Sequence, residues 1–191
     1  MTKTVYQIQI ALKGSKPKIW RRVLIPSDTS MADFHYVIQA VMGWTNSHLH
    51  QFIQHGIFYS EPQEEMWDEM DAEDYTDLRV SDLLTREKDT LIYEYDFGDS
   101  WGHQITLEKV VPQTGETQLP VCLNGKINCP PEDCGGVWGY AEMLEILKQP
   151  EHEEYESYIE WLGDEFDPEY FDKDAVNQLL RGMRRFAEPE L

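Results

Sequence analysis

The sequence predicts an α+β fold: a largely antiparallel or mixed sheet of about five strands, one helix after the first hairpin, and C-terminal helices packed on the sheet. Two observations carry this. The segments before residue 125 alternate apolar and polar residues at the period of a strand, apart from one stretch near residue 34. Beyond residue 136 the apolar residues recur at helical spacing. The expected organisation is one domain over 1–191, mainly sheet with an inserted helix over 1–125 and helical over 136–191.

"TVYQIQIAL" puts Tyr6, Ile8, Ile10 and Leu12 on one strand face. "KGSKPK" is a turn, and "IWRRVLI" is a second strand ended by Pro26. Its alternation sets Trp20, Arg22 and Leu24 opposite Ile19, Arg21, Val23 and Ile25, and places the two arginines at an edge or snorkelling to water. Ser30 followed by Asp33 is a capping pattern, Phe34, Val37, Ile38 and Val41 follow at helical spacing, and Gly43 ends the helix. "HLHQFIQHGIFY" reads as a strand kinked at Gly56. Residues 61–77 hold nine acids and no base, an exposed loop in which Met66, Trp67 and Met70 are anchors.

"VSDLL" is a short helical turn. "TLIYEYDF" and "HQITLEKVV" form a hairpin around "GDSWG", with Leu91, Tyr93, Tyr95 and Phe97 on one side. Tyr140, Met143, Leu144 and Leu147 then make a helical stripe stopped by Pro150. Tyr155, Tyr158, Ile159 and Leu162 make another, ending before Gly163. Asp167 and Pro168 start a last helix, marked by Val176, Leu179, Leu180 and Met183.

The 41% hydrophobic and 12% aromatic content suits a packed globule rather than a disordered polyelectrolyte. No apolar h-region opens the chain and no apolar run reaches the length of a membrane span, so the expected setting is the cytoplasm without a membrane partner. Three cysteines cannot pair completely, which fits a reducing compartment.

Net charge is −20, and it is segregated. Residues 1–27 carry six basic side chains and no acid, while the remainder holds 10 basic and 36 acidic residues. Such a field repels phosphates, so nucleic acid is an unfavourable partner except through the N-terminal hairpin. An acidic surface that attracts a basic protein is the converse reading.

All three cysteines, Cys122, Cys129 and Cys134, fall within "CLNGKINCPPEDCGG". Zinc takes four thiolate or imidazole ligands, usually from two close pairs, and this spacing is looser than a C-x2-C knuckle. A zinc site here would use Cys122, Cys129, Cys134 and His103, with His50 the other candidate for the fourth position. Pro130, Pro131, Gly135 and Gly136 favour a rigid turn with buried thiols, and Glu132 and Asp133 oppose thiolate formation. The expectation is therefore no cofactor, with zinc as the alternative.

"YDFGDSWGH" contains the kinase triplet DFG without a glycine-rich loop, and a Ser between glycines without a strand-to-helix elbow. Asp96, Asp99 and His103 resemble an acid–base group, but strand parity puts His103 on the apolar face with Ile105 and Leu107. A core histidine hydrogen-bonded to a turn aspartate is the plainer reading, with Asp99 bonding the amides that follow it. His48 and His50 sit two apart on one strand face, a feasible metal geometry without a carboxylate at a set spacing.

"SHLHQF", "YEYDFGDSWGHQITLE", "CPPEDCGGVWGY" and "WLGDEFDPEYFDKDAVN", in this order, resemble the plasmid ORF-three-like family named after an agrobacterial root-inducing plasmid. Some of its members are labelled TnpR-type passenger proteins of insertion elements. The resemblance spans nearly the whole chain and implies an α+β domain without an established activity. It places the family's characteristic positions on Asp96, Gly98, Asp99, Trp101, His103, Cys129, Pro130, Pro131, Glu132, Asp133, Cys134, Gly135, Gly136 and Gly139. Gly102 departs from the larger, often acidic residue expected there. Chemistry argues against a literal resolvase, because Ser100 sits beside Asp99 in a turn and the strongly anionic chain lacks a basic DNA-binding module.

The expected function is a non-enzymatic interaction or accessory domain linked to mobile elements, with no catalytic residue assigned and a protein or peptide partner. Its candidate binding surface is the meeting of two segments, Asp96, Gly98, Asp99, Trp101 and His103 with Glu132, Asp133, Gly135 and Gly136. A metal-dependent hydrolase built on the Cys/His/Asp group is the alternative, and nucleic-acid association through the basic hairpin is a further one.

Overall fold

A computed structural model describes residues 3–62, 72–113, 118–163 and 166–183. The anchors expected at Met66, Trp67 and Met70 lie outside these residues.

The strands are β1 (Thr4–Leu12), β2 (Trp20–Pro26), β3 (His50–Gln54), β4 (Ile57–Ser60), β5 (Glu73–Asp74), β6 (Thr90–Tyr95), β7 (Trp101–Pro112) and β8 (Val121–Lys126). They form one sheet in the order β5-β4-β3-β6-β7-β1-β2-β8. All neighbours are antiparallel except β4 and β5. The helices are α1 (Met31–Met42), α2 (Val80–Leu83), α3 (Gly136–Ile146), α4 (Tyr155–Leu162) and α5 (Lys173–Gly182). The α+β class stands, but the sheet has eight strands rather than about five. The strand kinked at Gly56 is two strands, because His55 and Gly56 both adopt positive φ and reverse the chain. β5 and β8 are the others, and β8 carries Cys122 out of the expected loop and onto the sheet.

Periodicity sets the core. Tyr6, Ile8, Ile10 and Leu12 are buried, as are Leu91, Tyr93 and Tyr95 across the sheet, whereas Phe97 turns outward at the hairpin tip. β2 is an interior strand between β1 and β8, so Arg21 is buried rather than snorkelling. Its guanidinium donates to the carbonyls of Val41, Trp20 and Lys126 at 2.8, 2.9 and 3.0 Å and lies 4.2 Å over the Phe171 ring. Arg22 on the other face pairs with Glu108. The basic hairpin therefore spends Arg21 in the core and Arg22 on a partly exposed ion pair.

α1 covers the sheet with Met31, Phe34, Val37, Ile38 and Val41. The Ser30 side chain accepts the Asp33 amide at 3.0 Å, and Gly43 closes the helix in the left-handed conformation. α5 lies against β8 and α1. It begins at Lys173 rather than at Asp167, because the Asp172 carboxylate caps the amides of Asp174 and Ala175 while Asp167 forms a separate turn with Glu169.

Candidate functional site

Three loops meet at one end of the sheet: residues 44–49 after α1, the β6–β7 turn at 96–100, and the 128–135 loop before α3. The Trp44 indole donates to the Pro130 carbonyl at 3.0 Å. Glu132 accepts the amide and hydroxyl of Thr45 at 3.2 and 2.6 Å and the Tyr95 hydroxyl at 2.5 Å. The same Tyr95 oxygen accepts the amides of Ser47 and His48 at 2.9 and 3.3 Å. Tyr95 thus ties all three loops, and burial followed by the Glu132 contact pushes its phenol well up.

The hairpin turn and the cysteine-bearing loop are joined directly. Asp99 accepts the Gly135 amide at 3.0 Å, so its carboxylate bridges to the second loop instead of bonding the amides that follow it. That local task falls to Asp96, whose Oδ1 accepts the amides of Gly98 and Asp99 at 2.9 and 3.3 Å. Asp96, Gly98, Asp99, Glu132, Asp133, Gly135 and Gly136 therefore come together around one junction.

Trp101 and His103 lie beneath that junction rather than on a surface, for both are fully buried. His103 packs against Trp44 and Tyr93 at ring distances of 5.2 and 5.5 Å. Among the described residues neither of its ring nitrogens has a hydrogen-bond partner, so the expected bond to a turn aspartate is not made. Burial lowers its pKa to about 4, opposed by the nearby carbonyls of Tyr93 and Trp101. A neutral core imidazole is the result.

The thiols are also neutral. Cys122 and Cys129 are buried and Cys134 is partly exposed, all free. Burial pushes Cys129 well up, and burial with the Asp99 carboxylate pushes Cys134 up to about 12. Among the described residues, no group of three metal donors includes Cys122, Cys129, Cys134 or His103.

A different group does form. One ligand atom each from His48, Asp96 and Asp133 lie within 4.8 Å of one another. His48 and His50 do not share this site, since His50 turns away to stack on His35 with ring centroids 3.6 Å apart. His50 Nε2 meets the Tyr75 hydroxyl at 2.7 Å, and burial, then the neighbouring His35, lowers its pKa to about 3.

These histidines line a cleft of about 470 Å³ between α1, the 44–49 loop and β3–β5. His35, Asn46, His48, His50, Ser60, Tyr75 and Phe97 contribute to it. The Ser60 residue is 3% exposed, and among the described residues its hydroxyl has no hydrogen-bond partner. Ser60, Tyr95 and Trp44 carry no sequence signal, since a serine at a strand end or an aromatic in a strand has no motif. The paired histidines of "SHLHQF" are the one local hint of this region.

The chain is similar to known proteins over most of its length. It is 39% identical over 167 residues to the uncharacterized protein y4hQ of Sinorhizobium fredii, covering 85% of this chain and 83% of that protein. The crystal structure of a protein of unknown function, MM3350 from Methanosarcina mazei Go1, superposes with a TM-score of 0.80 at 40% identity, covering 91% of this chain and 98% of that one. The family model described as plasmid pRiA4b ORF-3-like protein matches residues 4–175, and the chain belongs to that family.

Proposed function

We propose that the protein is a ligand-binding accessory domain that takes a small polar molecule into the cleft beside the three-loop junction. The observation that carries this reading is the Ser60 hydroxyl, buried in the cleft wall without a partner among the described residues. A buried hydroxyl left unpaired costs about 1–3 kcal/mol, a cost recovered when a ligand supplies the missing bond. Around it the wall is mostly uncharged, with His50 held neutral and stacked flat on His35, and Glu61 is its one acidic residue. Donors and acceptors on a preformed concave wall select orientation in a small polar ligand.

Binding rather than catalysis fits the described residues. The thiols are held protonated, and His103 is sealed in the core away from any carboxylate partner. The arginines of the basic hairpin are consumed by Arg21's carbonyl contacts and the Arg22–Glu108 pair, which disfavours a nucleic-acid partner.

The test is a fragment screen by ligand-observed NMR on the full chain, repeated on Ala32→Leu, which fills the cleft from α1. Fragments that bind the wild type should lose binding to a folded Ala32→Leu protein. A screen without binders, or binders indifferent to the substitution, would overturn the reading.

A further inference from the structure

We propose that His48, Asp96 and Asp133 form a binding site for one divalent transition-metal cation, of the manganese or zinc class, at the rim of the cleft. The proposal is independent of which molecule occupies the cleft.

The donors sit where a shared ion would hold them. His48 Nε2 lies 3.1 Å from Asp133 Oδ1 and 3.8 Å from Asp96 Oδ2. Donors bound about 2.1 Å from one ion stand about 3–4 Å apart in tetrahedral or octahedral geometry. All three donors lie within 4.8 Å of one another, so they reach that range with a side-chain adjustment of under about 1 Å.

Two further observations point to a missing ligand rather than to a self-sufficient ion pair. His48 Nε2 is shielded from solvent, yet it makes no hydrogen bond to either carboxylate despite the 3.1 Å approach. Asp96 is 8% exposed, and it spends Oδ1 on the amides of Gly98 and Asp99 while Oδ2 faces His48 at 3.8 Å. A shielded imidazole nitrogen that faces two carboxylate oxygens without a hydrogen bond leaves lone pairs for a cation.

The site is also held in place. The Tyr95 hydroxyl fixes the His48 amide, and the Tyr95 ring meets the imidazole edge-on at 5.8 Å. Asp96 is pinned by its backbone N–H, which donates to the Leu49 carbonyl at 2.8 Å. Asp133 is the open side, its side chain 70% exposed, which leaves coordination positions for water or for a ligand group. One imidazole with two carboxylates is a borderline donor set, suited to manganese and zinc rather than to calcium. The chain's net charge of −20 adds a field that favours any cation.

The test is a Mn2+ titration followed by electron paramagnetic resonance on metal-stripped full-length protein, with Zn2+ as competitor. One saturable Mn2+ site per chain is expected, displaced by Zn2+ in keeping with the usual affinity order. His48→Ala and Asp133→Asn should each weaken it by about tenfold or more, on the scale of losing one ligand of three. Asp133→Asn alters an exposed side chain, so its fold can be checked directly by its unfolding curve. Cys129→Ser with Cys134→Ser, and the cleft-filling Ala32→Leu, should leave the affinity unchanged. No saturable binding, binding unaltered by Asp133→Asn, or binding abolished by the cysteine changes would each overturn the proposal. The cleft reading could fail its own screen without touching this result.

Discussion

The carbonyl oxygen of Asp99 occupies the space that a Cβ on Gly136 would need, so the hairpin turn is seated directly on the backbone that starts α3. No side chain fits between them. Because the obstacle is backbone on both sides, it cannot swing away as a flexible side chain would. This contact and the Asp99–Gly135 bond are what make two sequence-distant loops one surface.

Gly136→Ala should therefore destabilise the protein by about 3 kcal/mol or more, the sum of left-handed backbone strain and a steric separation of the two loops. Gly43→Ala is the control. Gly43 also has a positive φ, but nothing lies within 4 Å of where its Cβ would stand, so strain alone, about 1 kcal/mol, is expected. Urea unfolding of the two variants measures the difference. Equal losses would show that the Asp99 contact is not made.

Tyr95→Phe should cost about 1–3 kcal/mol, because it leaves the Ser47 and His48 amides and Glu132 Oε1 without their common partner. It should also shift the imidazole NMR signals of His48 while leaving those of His103 in place. An unchanged His48 environment would contradict the role given to Tyr95.

Stability should fall as pH drops from about 6.5 to about 4. His50 and His103 are held neutral in the native state, with pKa values lowered to about 3 and about 4, whereas the unfolded chain protonates them near the ordinary value of about 6.5. Between those limits the unfolded state binds more protons, so acid favours unfolding and the stabilisation is complete above the unfolded value. His103→Leu replaces a buried imidazole that makes no hydrogen bond, so it should flatten part of this slope. Guanidinium titrations at a series of pH values would show it; parallel profiles for the two proteins would count against it.

At pH 8 the native thiols should react slowly with a disulfide reagent, and rapidly once unfolded, because burial and nearby acidic groups hold Cys129 and Cys134 protonated. A fast-reacting thiol in the folded protein would contradict their description as architecture.

Legibility in the sequence follows range. The β1–β2 and β6–β7 hairpins, the capping of α1 by Ser30 and its end at Gly43 are readable because each depends on residues a few positions apart. β5 is not, since a two-residue strand has no period and owes its existence to parallel pairing with β4. The burial of Arg21 is hidden because the sequence does not say that β2 has a neighbour on both sides. The "GDSWG" and "PPEDCGG" segments stand out in the sequence, but their meeting does not, since it rests on the long-range Asp99–Gly135 bond. His103 and the cysteines stand out as chemically rich residues, while the carboxylates that face His48 come from two other loops. Strand parity correctly buries His103, and that burial is what removes it from the site.

Amide chemical-shift mapping of the full chain, with the tightest fragment from the screen, decides whether the cleft is where a ligand sits. Shifts confined to residues 46–50, Ser60, Tyr75 and Phe97 are expected, and they would place the binding site in the cleft. Shifts centred on the N-terminal hairpin or on α4 and α5, with the cleft signals unmoved, would contradict it.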